Sequence, residues 1–338
     1  MNSIKNDMTY QKIAIVGAGA IGGWMGVHLA QAGAQLSVLA RGETLSALQK
    51  NGLQLHQGGT LHTVPVKASN DAAAMGVQDL VVISVKAPAL ASVAEQVGPL
   101  IGPNTVVLTA MNGVPWWFLQ GFGGPVAGRS LNSVDPEGII ARALPDQHII
   151  GCVVHASCSV DAPGVIRHHF GDGLIVGEPS GQVTPRAQAL TALLQQAGFK
   201  ATLSPQIQKD IWYKLWGNMT VNPVSAITGA TTDLIMDDPL VRAFISSVML
   251  EAKAIGANIG IPIEQQPEDR HVVTRKLGAF RTSMLQDVKA GKPVELDALV
   301  GAVRELGQLT DLPTPFTDAL LGISRLHARG LGLYPARN

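Results

Sequence analysis

Residues 13–41, IAIVGAGAIGGWMGVHLAQAGAQLSVLAR, read as a strand, a glycine turn, a helix and a second strand. The apolar run 13–16 leads directly into Gly17-Ala18-Gly19-Ala20-Ile21-Gly22. In such a turn the first glycine permits the tight bend, the second lets a pyrophosphate approach the backbone, and the third lets the helix pack on the strand. Gly17, Gly19 and Gly22 fill those places. A pyrophosphate then sits on the unpaired N–H groups and positive end of the helix that opens at Ala20 and Ile21. The spacing alone is a weak signal. Here a strand precedes it, a helix follows, and a second strand at 35–39 comes within one crossover, which defines a dinucleotide-binding βαβ unit.

The tip of the second strand reports on the dinucleotide. An NAD site carries Asp or Glu about 20 residues after the glycines, on the ribose 2′-hydroxyl. Leu39-Ala40-Arg41 stands there instead. A carboxylate repels a 2′-phosphate, whereas a guanidinium grips it with paired, charge-assisted bonds. The expected cofactor is therefore NADP(H), with Arg41 as its phosphate contact; Glu43 lies close by, and a solvated surface arginine is the alternative reading of Arg41.

Bulk properties set the frame. With 338 residues the chain is long enough for two domains. Its 25 basic and 25 acidic residues give a formal net charge of zero with no long run of either sign. Neither a nucleic-acid patch nor an anionic-membrane surface is expected. The two cysteines, Cys152 and Cys158, are six residues apart, too far for a disulfide within one extended strand. Reduced thiols and a cytoplasmic location are the plain reading. Lys5 and Lys12 before a small-residue stretch ending at Ala30-Gln31-Ala32 superficially resemble a secretory leader. The glycine spacing and the strand after it account for the same residues. No run of eighteen apolar residues suggests a membrane span, and residues 1–10, MNSIKNDMTY, read as a frayed polar extension.

The first half alternates short apolar strands with small-residue helices. A helix is expected near 44–50 and a hairpin over 53–66. Buried strands are expected at 79–85 and 105–110, with Lys86 and Asn112 at their carboxyl ends, where open α/β sheets collect ligands. Antiparallel strands flank a Pro163-Gly164 turn within 151–177; a helix over 185–197 and a strand over 200–203 complete this domain. Ser204-Pro205 marks the boundary, with Ser204 able to cap the next helix. The expected domains are thus 1–204 and 205–338. Helical spacing then appears at 207–219, 239–255, 268–286, 295–310 and 314–328, with breaks at Pro223, Gly229, Pro262, Pro293 and Pro313. The fold class is α/β: an N-terminal Rossmann-type nucleotide-binding domain followed by an all-α C-terminal domain.

In KLWGNMTVN, residues 214–222, Lys214, Asn218 and Asn222 recur every four residues. On a helix that spacing stacks a cation and two amides on one face. Trp212, Trp216 and Met219 beside them indicate a helix that is largely buried. Buried amides and ammonium groups need partners, and a polar ligand supplies them.

At this point the sequence resembles the ketopantoate reductase (2-dehydropantoate 2-reductase) family. The likeness is carried by GAGAIG, by VKA at the third strand, and by NG after the next. It continues through WYKLWGNMTVNP at the start of the second domain, SMLQD, and ELD at 295–297, from about Ile13 to about Leu326. The resemblance implies that Lys214 protonates the substrate carbonyl as hydride arrives and that Glu295 is the catalytic-site glutamate. It assigns Asn218, Asn222 and Ser283, together with Asn112, to a small 2-oxo acid substrate. Gly17, Gly19, Ala20, Ile21, Gly22, Arg41, Lys86 and Asn112 match the NADPH contacts. Thr282 can share the role given to Ser283. No metal is expected, since nicotinamide carries the reducing equivalent, and His168-His169 read as strand and turn.

The implied reaction is NADPH-dependent reduction of 2-dehydropantoate to pantoate, or of a closely similar 2-oxo acid, by a chain that can form a homodimer. The alternatives are a dehydrogenase of the same fold acting on a bulkier 2-oxo acid or imine, and an NADPH-binding regulator without turnover. The loop Pro115-Trp116-Trp117-Phe118-Leu119-Gln120 departs from the smaller residues of the family. It either closes over nicotinamide, narrows the acyl pocket, or packs on the second domain or on a partner subunit.

Overall fold

Among the described residues ten strands, several of them the apolar runs of the first half, form one sheet. They are β1 (Lys12–Val16), β2 (Gln35–Leu39), β3 (Leu53–Gln57), β4 (Thr60–Val64), β5 (Lys67–Ser69), β6 (Leu80–Ile83), β7 (Val106–Thr109), β8 (Ile149–Ala162), β9 (Val165–Gly177) and β10 (Lys200–Leu203). The computed structural model describes residues 10–336. The order is β4-β3-β9-β8-β7-β6-β1-β2-β5, with β10 also paired to β9. The strands β8-β7-β6-β1-β2-β5 run parallel, and their centre is sequestered from water, which is why β6 and β7 read as unbroken apolar runs. Helices α1 (Ala20–Gln31), α2 (Gly42–Asn51), α3 (Leu90–Ala94), α4 (Ile139–Ala143) and α5 (Pro185–Gln196) complete this unit.

Register fixes where the ligand end lies. Val16 pairs with both Leu39 and Ile83, so the carboxyl ends of β1, β2 and β6 are level. Gly17, Arg41 and Lys86 follow those ends. The Pro163-Gly164 turn joins the antiparallel β8 and β9 as its sequence requires, with Gly164 at φ +76. Cys152 and Cys158 both lie on β8 and form no disulfide, and burial pushes the Cys158 thiol up to about 12.

The second half is helical: α6 (Ile207–Thr228), α7 (Thr232–Asp237), α8 (Pro239–Asn258), α9 (Pro267–Arg275), α10 (Ser283–Lys289), α11 (Ala302–Leu309) and α12 (Pro315–Gly330). Trp212, Trp216, Met219, Val248, Met249 and Leu306 are among its buried residues. The Trp216 indole Nε1 donates to the Met249 carbonyl at 2.7 Å, which ties α6 to α8. Among the described residues no helix is long and apolar enough to cross a membrane.

Several boundaries differ from the sequence reading. Residues up to Met111 with Ile139–Ile207 form one compact unit, and Asn112–Gly138 with Gln208 onward form the other. The segment 112–138, read as part of the first domain, therefore folds with the helices. The Val114 N–H donates to the Ala298 carbonyl at 2.8 Å, and the Glu305 carboxylate accepts from the Asn132 and Ser133 N–H groups at 2.7 and 2.8 Å. Trp117 and Phe118 are fully buried, and Phe118 packs on Trp212 with ring centroids 6.0 Å apart. The aromatic loop is thus core of the helical unit.

Pro223 does not end a helix; α6 runs through it. An interior proline costs about 3 kcal/mol, which the burial of this helix from Ile211 to Ala226 offsets. The expected helix over 268–286 is two helices. Gly278, at φ +62, ends the first by donating its N–H to Arg275, and the Thr282 hydroxyl caps the second by accepting from the Leu285 N–H. The Ser204 hydroxyl accepts from the Gln206 N–H at 3.1 Å, just ahead of α6. Of the expected frayed extension, residues 1–9 lie outside the described residues, but Tyr10 is buried. Its hydroxyl donates to the Arg186 carbonyl at 2.9 Å, and burial pushes its pKa up to about 12.

Candidate active site

The glycine turn of the first unit has the geometry its spacing predicts. Gly17 sits at φ +95, which only glycine adopts freely, and a Cβ there would meet the Val85 side chain at 2.7 Å. A Cβ on Gly22 would fall within 3.0 Å of the Ser84 hydroxyl and the Gly17 carbonyl. Gly19 is the opposite case, because nothing lies within 4 Å of where its Cβ would stand. It is also the N-cap of α1, with no side-chain cap bond and no acidic residue in the first turn. The first N–H groups of that helix have no side-chain cap, with the positive end of the helix dipole behind them and open space at the Gly19 Cα. A dinucleotide pyrophosphate fits that cradle.

Ser84 is a residue that the motif reading missed. Its hydroxyl donates to the Gly17 carbonyl at 2.8 Å and pins the turn from the end of β6. A small polar residue directly after a buried strand was the available signal. Arg41 is exposed at the end of β2 as N-cap of α2, and among the described residues it makes no ion pair. Glu43 stands in the first turn of the same helix. Lys86 is half-buried and begins the short turn Ala87–Ala89.

In the second unit, α6 carries the polar stripe on an otherwise apolar helix. The Lys214 ammonium donates to the Asn112 side-chain oxygen at 2.8 Å. Asn218 is half-buried and Asn222 only 7% exposed, yet among the described residues neither amide makes a side-chain hydrogen bond. Neither amide is among the buried atoms left without a partner, so both polar ends remain accessible beside the ammonium, where a polar ligand can take them up. Asn112 is held in place by the residues after it. Gly113, at φ +86, lies against Ala298, and the Val114–Ala298 bond anchors the segment to the single π-helical turn Asp297–Gly301.

That π turn comes immediately after Glu295 and Leu296. Glu295 is 8% exposed and precedes the helix instead of opening it; insertions of this kind recur at functional sites. The structure thus brings Lys214 to Asn112, and ties the residues just after Asn112 to the turn just after Glu295. Ser283 is the first residue of α10 and exposed, whereas the neighbouring Thr282 is buried and committed to its cap.

A nucleotide-binding βαβ unit, joined in one chain to a helical unit with an ammonium and two unpartnered amides on a buried face, defines a pyridine-nucleotide-dependent oxidoreductase. Comparison with known proteins narrows the class. The family description "Ketopantoate reductase PanE/ApbA" matches residues 13–115, and "Ketopantoate reductase PanE/ApbA C terminal" matches residues 206–328. A 2-dehydropantoate 2-reductase from Mesorhizobium japonicum is 45% identical over 324 residues, covering 96% of this chain and 99% of its own. A crystal structure of a Ralstonia solanacearum MolK2 protein, assigned as a ketopantoate reductase, is 57% identical with a TM-score of 0.94, covering 96% of this chain and 100% of its own. The 2-dehydropantoate 2-reductase of Methylococcus capsulatus is 25% identical with a TM-score of 0.81, over 94% of this chain and 97% of its own. The chain belongs to the ketopantoate reductase family, oxidoreductases that act on the CH–OH group of their donors; the family name ties it to pantothenate biosynthesis.

Proposed function

We propose that this chain reduces 2-dehydropantoate to pantoate with NADPH, using Lys214 as proton donor. The observation that carries the reading is the α6 face, where an ammonium fixed on Asn112 adjoins two amides without protein partners. A bound nicotinamide supplies hydride to the ketone carbon. Negative charge then grows on the carbonyl oxygen, and Lys214 meets it with an ammonium that donates the proton. Asn112 orients that ammonium through the 2.8 Å bond. Asn218 and Asn222 bind hydroxyl and carboxylate oxygens without adding charge, and Ser283 adds a hydroxyl to the same task. Glu295, buried in the same unit, is a carboxyl group able to accept a substrate hydroxyl.

The choice of NADPH over NADH rests on Arg41, a cation without an ion pair at the tip of β2, where an NAD site carries an acid. The open backbone at Gly19, Ala20 and Ile21 receives the pyrophosphate, and Lys86 adds a cation at the same end of the sheet. Packing of Trp117 and Phe118 inside the helical unit removes the loop as a reason to expect a bulkier substrate.

Steady-state assay with NADPH and a panel of 2-oxo acids tests the reading. The expected result is preferred turnover of 2-dehydropantoate, and a fall in kcat of at least ~10²-fold in Lys214→Ala with NADPH affinity retained. Failure of the wild-type enzyme on 2-dehydropantoate, with turnover of another oxo acid, would overturn the substrate. An unchanged kcat in Lys214→Ala would remove the lysine from the mechanism.

A further inference from the structure

Arg270, on α9, carries a charge with no carboxylate partner among the described residues. Among the described residues it has no ion pair and no side-chain hydrogen bond. Its Nε is buried without a partner, while its two terminal nitrogens keep access to solvent. The guanidinium carbon lies 5.8 Å from the centre of the Tyr213 ring. From there the group presses on α6 at Gly217, where a Cβ would stand only 2.5 Å from the Arg270 Nε.

Both contacts are on α6 beside the polar stripe. Tyr213 precedes Lys214, and Gly217 lies three residues after it, so that Gly217 and Lys214 are surface neighbours on the helix. Asn218 follows directly. Glycine is among the least favourable residues in a helix interior, and α6 places one where any side chain would displace this arginine. A half-buried cation without a counter-ion is also unfavourable by itself, and burial lowers the Arg270 pKa, opposed by Tyr213 and by no carboxylate. A guanidinium whose inner edge is sealed and whose outer fork is open matches a carboxylate, which it can hold by two parallel bonds.

We propose that Arg270 forms a carboxylate-binding subsite on the Lys214 flank of α6, reading the acid group of the 2-oxo acid. This rests on the substrate class proposed above and adds the element that discriminates an anionic oxo acid from a neutral ketone. Arg270 is a binding residue that takes no part in proton transfer. Its loss therefore acts on substrate affinity more than on the chemical step.

The test measures KM and kcat for 2-dehydropantoate at saturating NADPH, with NADPH affinity and the thermal midpoint, for wild type, Arg270→Gln and Arg270→Lys. KM should rise about 10- to 100-fold in Arg270→Gln and by less in Arg270→Lys, which keeps the charge but not the fork. Both kcat and NADPH affinity should stay near wild type. Gly217→Ala, whose methyl displaces the guanidinium, should raise KM in the same direction and decides the matter if Arg270→Gln does not fold. A KM within about threefold of wild type in folded Arg270→Gln, or in Gly217→Ala where that variant must decide, overturns the subsite and leaves the function standing. A fall in kcat and thermal midpoint with no recovery in Arg270→Lys makes Arg270 a packing residue and overturns it as well. Failure of the wild-type enzyme to reduce any 2-oxo acid removes both readings together.

Discussion

One methyl group, added at each of two glycines in the same turn, separates packing from cofactor contact. In Gly22→Ala the new carbon falls within 3.0 Å of the Ser84 hydroxyl and the Gly17 carbonyl, one of them backbone. Relief requires moving α1 off β1 or breaking the 2.8 Å Ser84–Gly17 bond. Overpacking of this kind costs about 1–3 kcal/mol, and the lost bond about 1 more. The sum of roughly 2–4 kcal/mol corresponds to a drop of roughly 4–16 °C in thermal midpoint for a domain of this size. In Gly19→Ala the added carbon meets nothing within 4 Å, and the backbone there, at φ −81, suits alanine. Its structural cost is limited to a poorer N-cap, under about 1 kcal/mol. The methyl nevertheless stands where a pyrophosphate must approach, so NADPH affinity should fall by about tenfold or more. Differential scanning calorimetry and NADPH fluorescence titration on both variants give the two readouts. Wild-type NADPH affinity in Gly19→Ala would refute the assignment of that open surface to the cofactor. An unshifted midpoint in Gly22→Ala would refute the packing argument.

Arg41→Ala should lose about 1.5–3 kcal/mol of NADPH affinity, the range of a charge-assisted bond, and little NADH affinity; titrations with both cofactors check this, and equal losses would reject the 2′-phosphate contact. Asn222→Leu replaces an amide that makes no side-chain hydrogen bond among the described residues by an apolar side chain of similar size. Because the amide makes no hydrogen bond to the protein, its loss should leave stability within about 1 kcal/mol of wild type while KM for the oxo acid rises. Destabilisation with normal KM would show the amide to be structural. His271 is 1% exposed, its Nε2 has no partner, and burial depresses its pKa against the opposing pull of Glu268. The unfolded chain takes up that proton near pH 6.5 and the folded chain only at lower pH. Stability should therefore decline as pH drops below about 6.5, and less so in His271→Gln; parallel midpoint-versus-pH curves for the two proteins would contradict this.

The nucleotide half was legible because its signals are local. The strand-turn-helix order, the glycine positions and the arginine at the tip of β2 each depend on residues close in sequence, and the unbroken apolar runs at β6 and β7 follow from burial of a parallel sheet on both faces. The Lys214-Asn218-Asn222 stripe was legible for the same reason, as a helical period. What escaped depends on contacts between distant residues. Pro223 reads as a break, yet α6 continues because neighbouring helices bury it. Gly278 and Thr282 are ordinary stop and start signals hidden in a run of helical spacing.

Sequence alone therefore determined the strands and first helix of the nucleotide unit, the helical character of the second half, the glycine cradle, and the residue types able to bind a dinucleotide and an oxo acid. Tertiary structure alone decided that residues 112–138 fold with the helices, that Asn112 is the partner of Lys214, that Trp117 and Phe118 are core, and that Arg270 lies unpaired against Gly217. The reason is physical. Periodicity and turn chemistry act over a few residues, whereas burial and the pairing of charges are set by whatever the folded chain brings alongside, often a hundred residues away.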